Sequence, residues 1–167
     1  MGGFLTQPDR PRWGFMRYLL MLLLSLPMLA CATEFDEFTQ SLPLGRVMQV
    51  FEDVGGEASI DDVSSQALAG SFKTHDKATL NAGYSRSAFW LKIDLHYRPN
   101  NPAAQRNWLL ELAYPPLDHL DLYLPDAAGR YQLVQRTGDA LPFSSRQIRQ
   151  DNYLFDLDFA PDQHKVV

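Results

Sequence analysis

The chain has 167 residues, of which 46% are hydrophobic and 21% are charged, and its formal net charge is −5. This composition argues against an intrinsically disordered chain, because disorder accompanies low hydrophobicity and high net charge. The acidic balance argues against nucleic acid or an anionic lipid surface as the main partner, and a single cysteine excludes a disulfide within one chain.

The first element is an apolar run that is typical of a secretory signal peptide. Residues 18–32 are almost wholly apolar, follow three arginines and end in small residues. A membrane-spanning helix needs about 20 apolar residues, and this run is shorter and contains a proline. We predict a signal peptide over residues 1–32, and a start at Met16 would give a more compact one.

Two cleavage sites are compatible with this signal peptide. Ala30-Cys31-Ala32 fits the general signal peptidase, which would leave Thr33 as the first mature residue. Met28-Leu29-Ala30-Cys31 resembles a lipoprotein box, in which Cys31 would be lipidated and become residue one. A catalytic thiol is the weakest alternative, because a targeting segment provides no ordered neighbours to activate it. Cleavage after Ala32 leaves 135 residues with 12 basic and 19 acidic side chains, a net charge of −7 and enough chain for one domain.

The segment that follows the signal peptide is irregular in sequence. We predict a linker over residues 33–46 and a strand in "RVMQVFED", followed by a turn at "VGG". Residues 59–66, "SIDDVSSQ", predict one short helical turn, and "GSF" at residues 70–72 predicts a short strand.

From residue 87 onwards the sequence alternates between apolar and polar side chains. This period of two indicates strands with one buried face, and it recurs over residues 87–97, 108–114, 120–124 and 152–159. Turn sequences such as "RPNNP", "YPP" and "PDAAGR" separate the strands. Short strands at this spacing predict an all-β fold, an antiparallel sandwich. Residues 164–167 look like the beginning of a further strand, so we expect the domain to be truncated at its C-terminus.

The sequence contains no local signature of a catalytic or metal site. It has no Cys/His metal spacing, no glycine-rich phosphate loop and no nucleophile elbow, so we expect no metal and no cofactor. His119 lies near Asp118 and Asp121, but the alternation places it on the outer face, where a solvated surface is the simpler explanation. The many carboxylates include no pair whose separation the sequence could fix, as glycoside hydrolysis requires.

Several stretches resemble the type-2 extracellular domain of bacterial seven-transmembrane receptors with diverse intracellular signalling modules, the 7TMR-DISM group. The resemblance covers residues 47–167 and is carried by "VFEDVGGEASIDDV", by "SRSAFWLKIDL" and by the block from Trp108 to Phe159. Its most specific part is Thr137-Gly138-Asp139, followed by Leu141-Pro142-Phe143 and Arg146.

The resemblance implies a noncatalytic, jelly-roll-like domain, similar to carbohydrate-binding modules, at the periplasmic face of the bacterial inner membrane. In that family the domain precedes seven membrane helices and an output such as a diguanylate cyclase or a histidine kinase. We therefore expect a sensor domain that binds a small molecule or a carbohydrate, is held to the membrane by downstream helices and does not bind nucleic acid. A freestanding glycan-binding module or lipoprotein anchored through Cys31 is the alternative, and a secreted glycan-active enzyme is the least favoured.

Three side chains are candidates for ligand contact in such a sandwich. Trp90 lies on the polar side of its strand and could stack on a sugar ring, unless a second layer covers it. Tyr114 could line a rim, although its alternation with Trp108 favours the core. Arg146 could bind an acidic group bidentately or could instead hold its own loop through backbone carbonyls.

Overall fold

The computed structural model describes residues 32–104 and 107–167, and within them the fold is almost entirely β. Residues 1–31 of the predicted signal peptide, with Met16 and Cys31, lie outside the described residues. The strands in chain order are β1 (Thr33–Phe35), β2 (Gln49–Asp53), β3 (Lys73–Thr74), β4 (Ala88–Lys92), β5 (Asp94–Tyr97), β6 (Trp108–Leu112), β7 (Leu120–Pro125), β8 (Tyr131–Thr137), β9 (Tyr153–Leu157) and β10 (Gln163–Val166). A four-residue helix, α1 (Ile60–Val63), follows β2, and two 3-10 turns span Ala69–Ser71 and Phe143–Ser145.

The strands form four small sheets, with the orders β1-β5-β10, β3-β2-β4, β6-β9 and β7-β8. Every pairing is antiparallel except that of β1 with β5, which is parallel. The prediction of an all-β sandwich is therefore confirmed, with one parallel pairing added. Within the described ranges, no helix has the length and apolar character needed to cross a bilayer.

The alternating segment over residues 87–97 is divided between two sheets. β4 pairs with β2, whereas β5 pairs with β1 and β10. Ile93 lies between them, and its N–H and C=O exchange hydrogen bonds with Val167 at 2.8 and 2.9 Å. The prediction of one strand is thus corrected to two, because the neighbouring strand changes at Ile93.

Two groups of buried side chains form a continuous core. One contains Phe35, Met48, Ile93, Leu95, Tyr97 and Leu157. The other contains Leu122, Tyr153 and Phe155. Leu110, Leu124 and Val167 pack against both groups and join them. The inward residues of β6, β7 and β9 are those that the alternation predicts.

The segment predicted as a linker over residues 33–46 contributes to this core through β1. Phe35 is buried, and its ring lies edge-on to Trp108 and Phe159, with centroids 4.8 and 5.2 Å away. Glu37 is also buried and accepts backbone N–H bonds from Asn100 and Asn101 at 2.8 and 2.9 Å. Residues 33–37 are therefore part of the folded domain.

The short helix α1 is fixed by a capping box. The Ser59 hydroxyl accepts from the Asp62 backbone N–H, and the Asp62 carboxylate accepts from the Ser59 backbone N–H at 2.9 Å. The predicted helical turn is confirmed. The strand predicted over residues 70–72 is wrong, because the Ser71 N–H donates to the Leu68 carbonyl and closes a 3-10 turn before β3 begins.

The Thr137-Gly138-Asp139 turn packs closely against the chain before β7. Gly138 has φ +144°, and a Cβ added there would lie 2.0 Å from the carbonyl oxygen of Asp118. The N–H of Asp139 donates to the Leu117 carbonyl at 2.7 Å, and Thr137 is almost fully buried. Only glycine permits this close approach of two backbone segments.

Candidate functional site

An open groove of about 640 Å³ lies between helix α1 and the β7-β8 hairpin. Aromatic and polar side chains line it together, as is common at small-molecule sites. The lining includes Asp61, Ser64, Tyr123, Arg130, Tyr131 and Leu133. We take this groove as the candidate ligand site of the domain.

The register of the hairpin places these side chains on one face. In β7 the leucines at 120, 122 and 124 pack toward the core, which turns Tyr123 outward. Tyr123 pairs with Leu133, but Leu122 pairs with Gln135, so Val134 is an extra residue in β8. This β-bulge keeps Tyr131 and Leu133 on the same face as Tyr123 while β8 changes register.

Both tyrosines of the groove are half-buried. Burial raises the pKa of Tyr123, and the neighbouring carboxylate of Asp121 raises it further. Burial also raises the pKa of Tyr131, with a smaller contribution from Asp94. Both phenols therefore stay neutral and present an aromatic ring together with a hydroxyl group.

Most of the charged groups beside the groove already have partners. Arg136 binds Asp121 through two hydrogen bonds of 2.8 and 2.7 Å. The guanidinium of Arg130 lies 3.3 Å from the carboxylate of Asp126, whose pKa is lowered by the backbone N–H groups of the turn. Among the described residues, the carboxylate of Asp61 has neither a hydrogen bond nor an ion pair.

Trp90 lies beside the groove without lining it. Its ring is half-buried and lies 5.7 Å from the ring of Tyr123, at an interplanar angle of 36°. The indole Nε1 is buried and has no hydrogen-bond partner among the described residues. Of the two alternatives weighed for Trp90, this contact with Tyr123 fits the one in which a second layer covers the ring, and a role in ligand contact stays a prediction.

Tyr114 and Arg146 lie outside the groove. Tyr114 is 58% exposed, so it does not belong to the core that its alternation favours. Arg146 donates from Nη1 to the carbonyls of Gln150 and Asp151, and its guanidinium lies over the rings of Phe143 and Tyr153 at 5.0 and 4.4 Å. Of the two roles weighed for Arg146, these contacts favour the one that holds its loop.

Three of the four histidines have partners that the sequence did not reveal. His96 Nε2 lies 3.0 Å from the carboxylate of Asp162, and His164 contacts Asp94 from the neighbouring strand. His75 Nδ1 lies 2.6 Å from the carbonyl of Gly45. In the part of the chain that the structure describes, no group of three or more metal-ligating side chains is arranged to hold a metal ion.

The described residues therefore form an all-β sandwich domain with an open groove beside the β7-β8 hairpin. A family model described as 7TMR-DISM extracellular 2 matches residues 45–167, and the chain belongs to this family of noncatalytic, extracellular sensor domains. Membership implies that the domain is exported to the periplasm. No curated protein and no solved structure matches the chain.

Sequence reasoning missed the side chains that line the groove. The alternation of β7 places Tyr123 on the outer face, which was a usable signal, but nothing local singled it out from other outward residues. Tyr131 lies near Tyr123 because β7 and β8 pair in one hairpin, whereas Asp61 comes near both only because α1 packs beside that hairpin, more than 60 residues away in the chain. Such long-range proximity is not visible in periodicity.

Proposed function

We propose that this domain is the ligand-binding input of a seven-transmembrane receptor and that the α1-hairpin groove is its binding site. The observation that carries the proposal is an aromatic groove in a domain of an extracellular sensor family. Downstream helices would hold the domain at the inner membrane, and the output would be a cyclase or kinase domain. Ligand binding would act by favouring one conformation of the receptor over another.

The lining of the groove favours a small carbohydrate as the ligand. The neutral rings of Tyr123 and Tyr131 offer apolar faces that match the CH face of a pyranose. Gln132, Ser64 and the tyrosine hydroxyls supply donors and acceptors that match sugar hydroxyl groups. Arg146 is occupied by backbone carbonyls, so a carboxylated ligand at that position is less favoured.

Calorimetric titration with a panel of disaccharides tests this proposal. Tyr123→Ala should weaken binding by at least about tenfold, because the stacking ring is lost. Tyr114→Ala is the matched control, since it removes an exposed tyrosine outside the groove and should leave affinity unchanged. If Tyr114→Ala abolishes binding and Tyr123→Ala does not, the groove is the wrong site.

A further inference from the structure

We infer that the groove selects a ligand that carries a protonated amine, with an amino sugar as the class that fits best. This inference rests on the proposed carbohydrate function and makes it more specific. Its basis is the balance of charge around the groove, where one carboxylate has no partner and each nearby cation already has one.

The unpaired carboxylate is that of Asp61, on the α1 wall of the groove. On the hairpin wall, Arg130 is engaged with Asp126, and Arg136 is engaged with Asp121. A further carboxylate, that of Asp94, lies close enough to Tyr131 to affect its ionisation. The groove therefore has an uncompensated negative group and no free cation on the described residues that line it.

The capping box of α1 does not use the side chain of Asp61. An acidic residue in a first turn commonly serves the backbone N–H groups, but here Asp62 forms the capping box with Ser59. Asp61 makes no such bond, and its backbone carbonyl has only a long 3.5 Å contact with the Ser64 hydroxyl. Its carboxylate remains available to an ammonium group that enters between α1 and the tyrosine rings.

Aromatic rings beside a carboxylate form a suitable environment for such a cation. An ammonium group gains from the negative face of a tyrosine ring as well as from the carboxylate, and partial removal from water strengthens both interactions. A pyranose that bears an amine could therefore stack on Tyr123 or Tyr131 while its amine reaches Asp61. A neutral sugar would leave this exposed carboxylate hydrated and would gain no ion pair from it.

Three disaccharides with one ring framework test the inference: chitobiose, N,N′-diacetylchitobiose and cellobiose. They differ in carrying an ammonium, an acetamide or a hydroxyl group at carbon 2. Binding to the purified full chain is measured by calorimetry at slightly acidic pH, where the amines of chitobiose are protonated. We expect chitobiose to bind at least about tenfold more tightly than the other two, and added salt to reduce this preference.

Asp61→Asn keeps the size of the side chain and removes its charge, so it should reduce the preference for chitobiose to less than about threefold. Glu57→Gln is the matched control, because it removes an exposed charge nearby that does not line the groove. Equal affinity for all three sugars, with sensitivity to Tyr123→Ala, would overturn the amine inference and leave the carbohydrate function standing. Failure of all three sugars to bind would overturn both.

Discussion

Replacement of Gly138 by alanine should be among the most damaging single-methyl changes in this domain. The added Cβ would lie 2.0 Å from the carbonyl oxygen and 2.6 Å from the carbonyl carbon of Asp118. Ordinary contacts of this kind exceed 3 Å, so two backbone segments must separate by about 1 Å. That movement would disturb the bonds from Asp139 to Leu117 and from Ala140 to Asp118.

The loss can be estimated from these parts. Backbone strain at a positive φ costs about 1 to 3 kcal/mol for a residue with a side chain. Each of the two disturbed hydrogen bonds is worth about 0.5 to 1.5 kcal/mol. We expect the free energy of unfolding to fall by roughly 2 to 6 kcal/mol, which is a large part of the 5 to 15 kcal/mol typical of a domain.

Urea denaturation followed by circular dichroism measures this loss. Gly129→Ala is the matched control, because Gly129 also has a positive φ, +78°, but an added Cβ meets no atom within 4 Å. In the control, only backbone strain should lower the free energy of unfolding, by about 1 to 2 kcal/mol. Equal losses for the two variants would refute the close approach as the reason for glycine in the Thr137-Gly138-Asp139 turn.

Three further predictions concern the N-terminal segment and the groove. Phe35→Ala should reduce the free energy of unfolding in urea by about 3 to 5 kcal/mol, because it empties a buried aromatic position. Phe38→Ala, at a 71% exposed position, should change it by less than about 0.5 kcal/mol, and similar losses for both would argue against a role of β1 in the core. Burial opposes ionisation of Glu37, but backbone N–H bonds outweigh it and lower the pKa of this carboxyl below its value in the unfolded chain. The ionised carboxylate of Glu37 therefore stabilises the fold above its unfolded pKa, and this stabilisation is lost as pH falls through its folded pKa. Acid unfolding followed by circular dichroism should show a shallower transition for Glu37→Gln than for the native chain. An unchanged transition would contradict this role of Glu37. The pKa of Tyr123 and that of Tyr131 are raised in the fold, chiefly by burial, so the stability they contribute should decline as pH rises above about 10. Spectrophotometric titration should show ordinary phenol ionisation in urea and delayed ionisation in the native chain, and coincident curves would refute the shielding of the groove.

The inward faces of the later strands were predictable because alternation is a local property. A period of two fixes which side chains share a face as soon as a segment is extended, and Leu110, Leu122 and Phe155 lie where this rule places them. The same rule failed at Ile93, where the sheet changes without any change in the pattern. That change depends on Val167, which is 74 residues away in the chain.

The candidate site was less predictable than the fold. The alternation of its strand places Trp90 on the polar face. How far its ring is buried depends on Tyr123, which belongs to another sheet. Arg146 belongs to the family motif, and the sequence allows two roles for it, between which only its contacts with Gln150 and Asp151 discriminate. Nothing in the sequence marked Asp61 as a binding residue, because an acidic residue early in a helix is common for reasons of helix stability alone.

The pairing of β1 and β10 on either side of β5 brings two distant parts of the chain together. Thr33 and Lys165 both lie opposite Leu95, and the two strands run in opposite directions. The chain therefore enters β1 and leaves β10 at the same end of this sheet, with two strand spacings, about 10 Å, between them. A pair of fluorophores attached at these two positions would lie close together in the native state and separate when either strand detaches from β5.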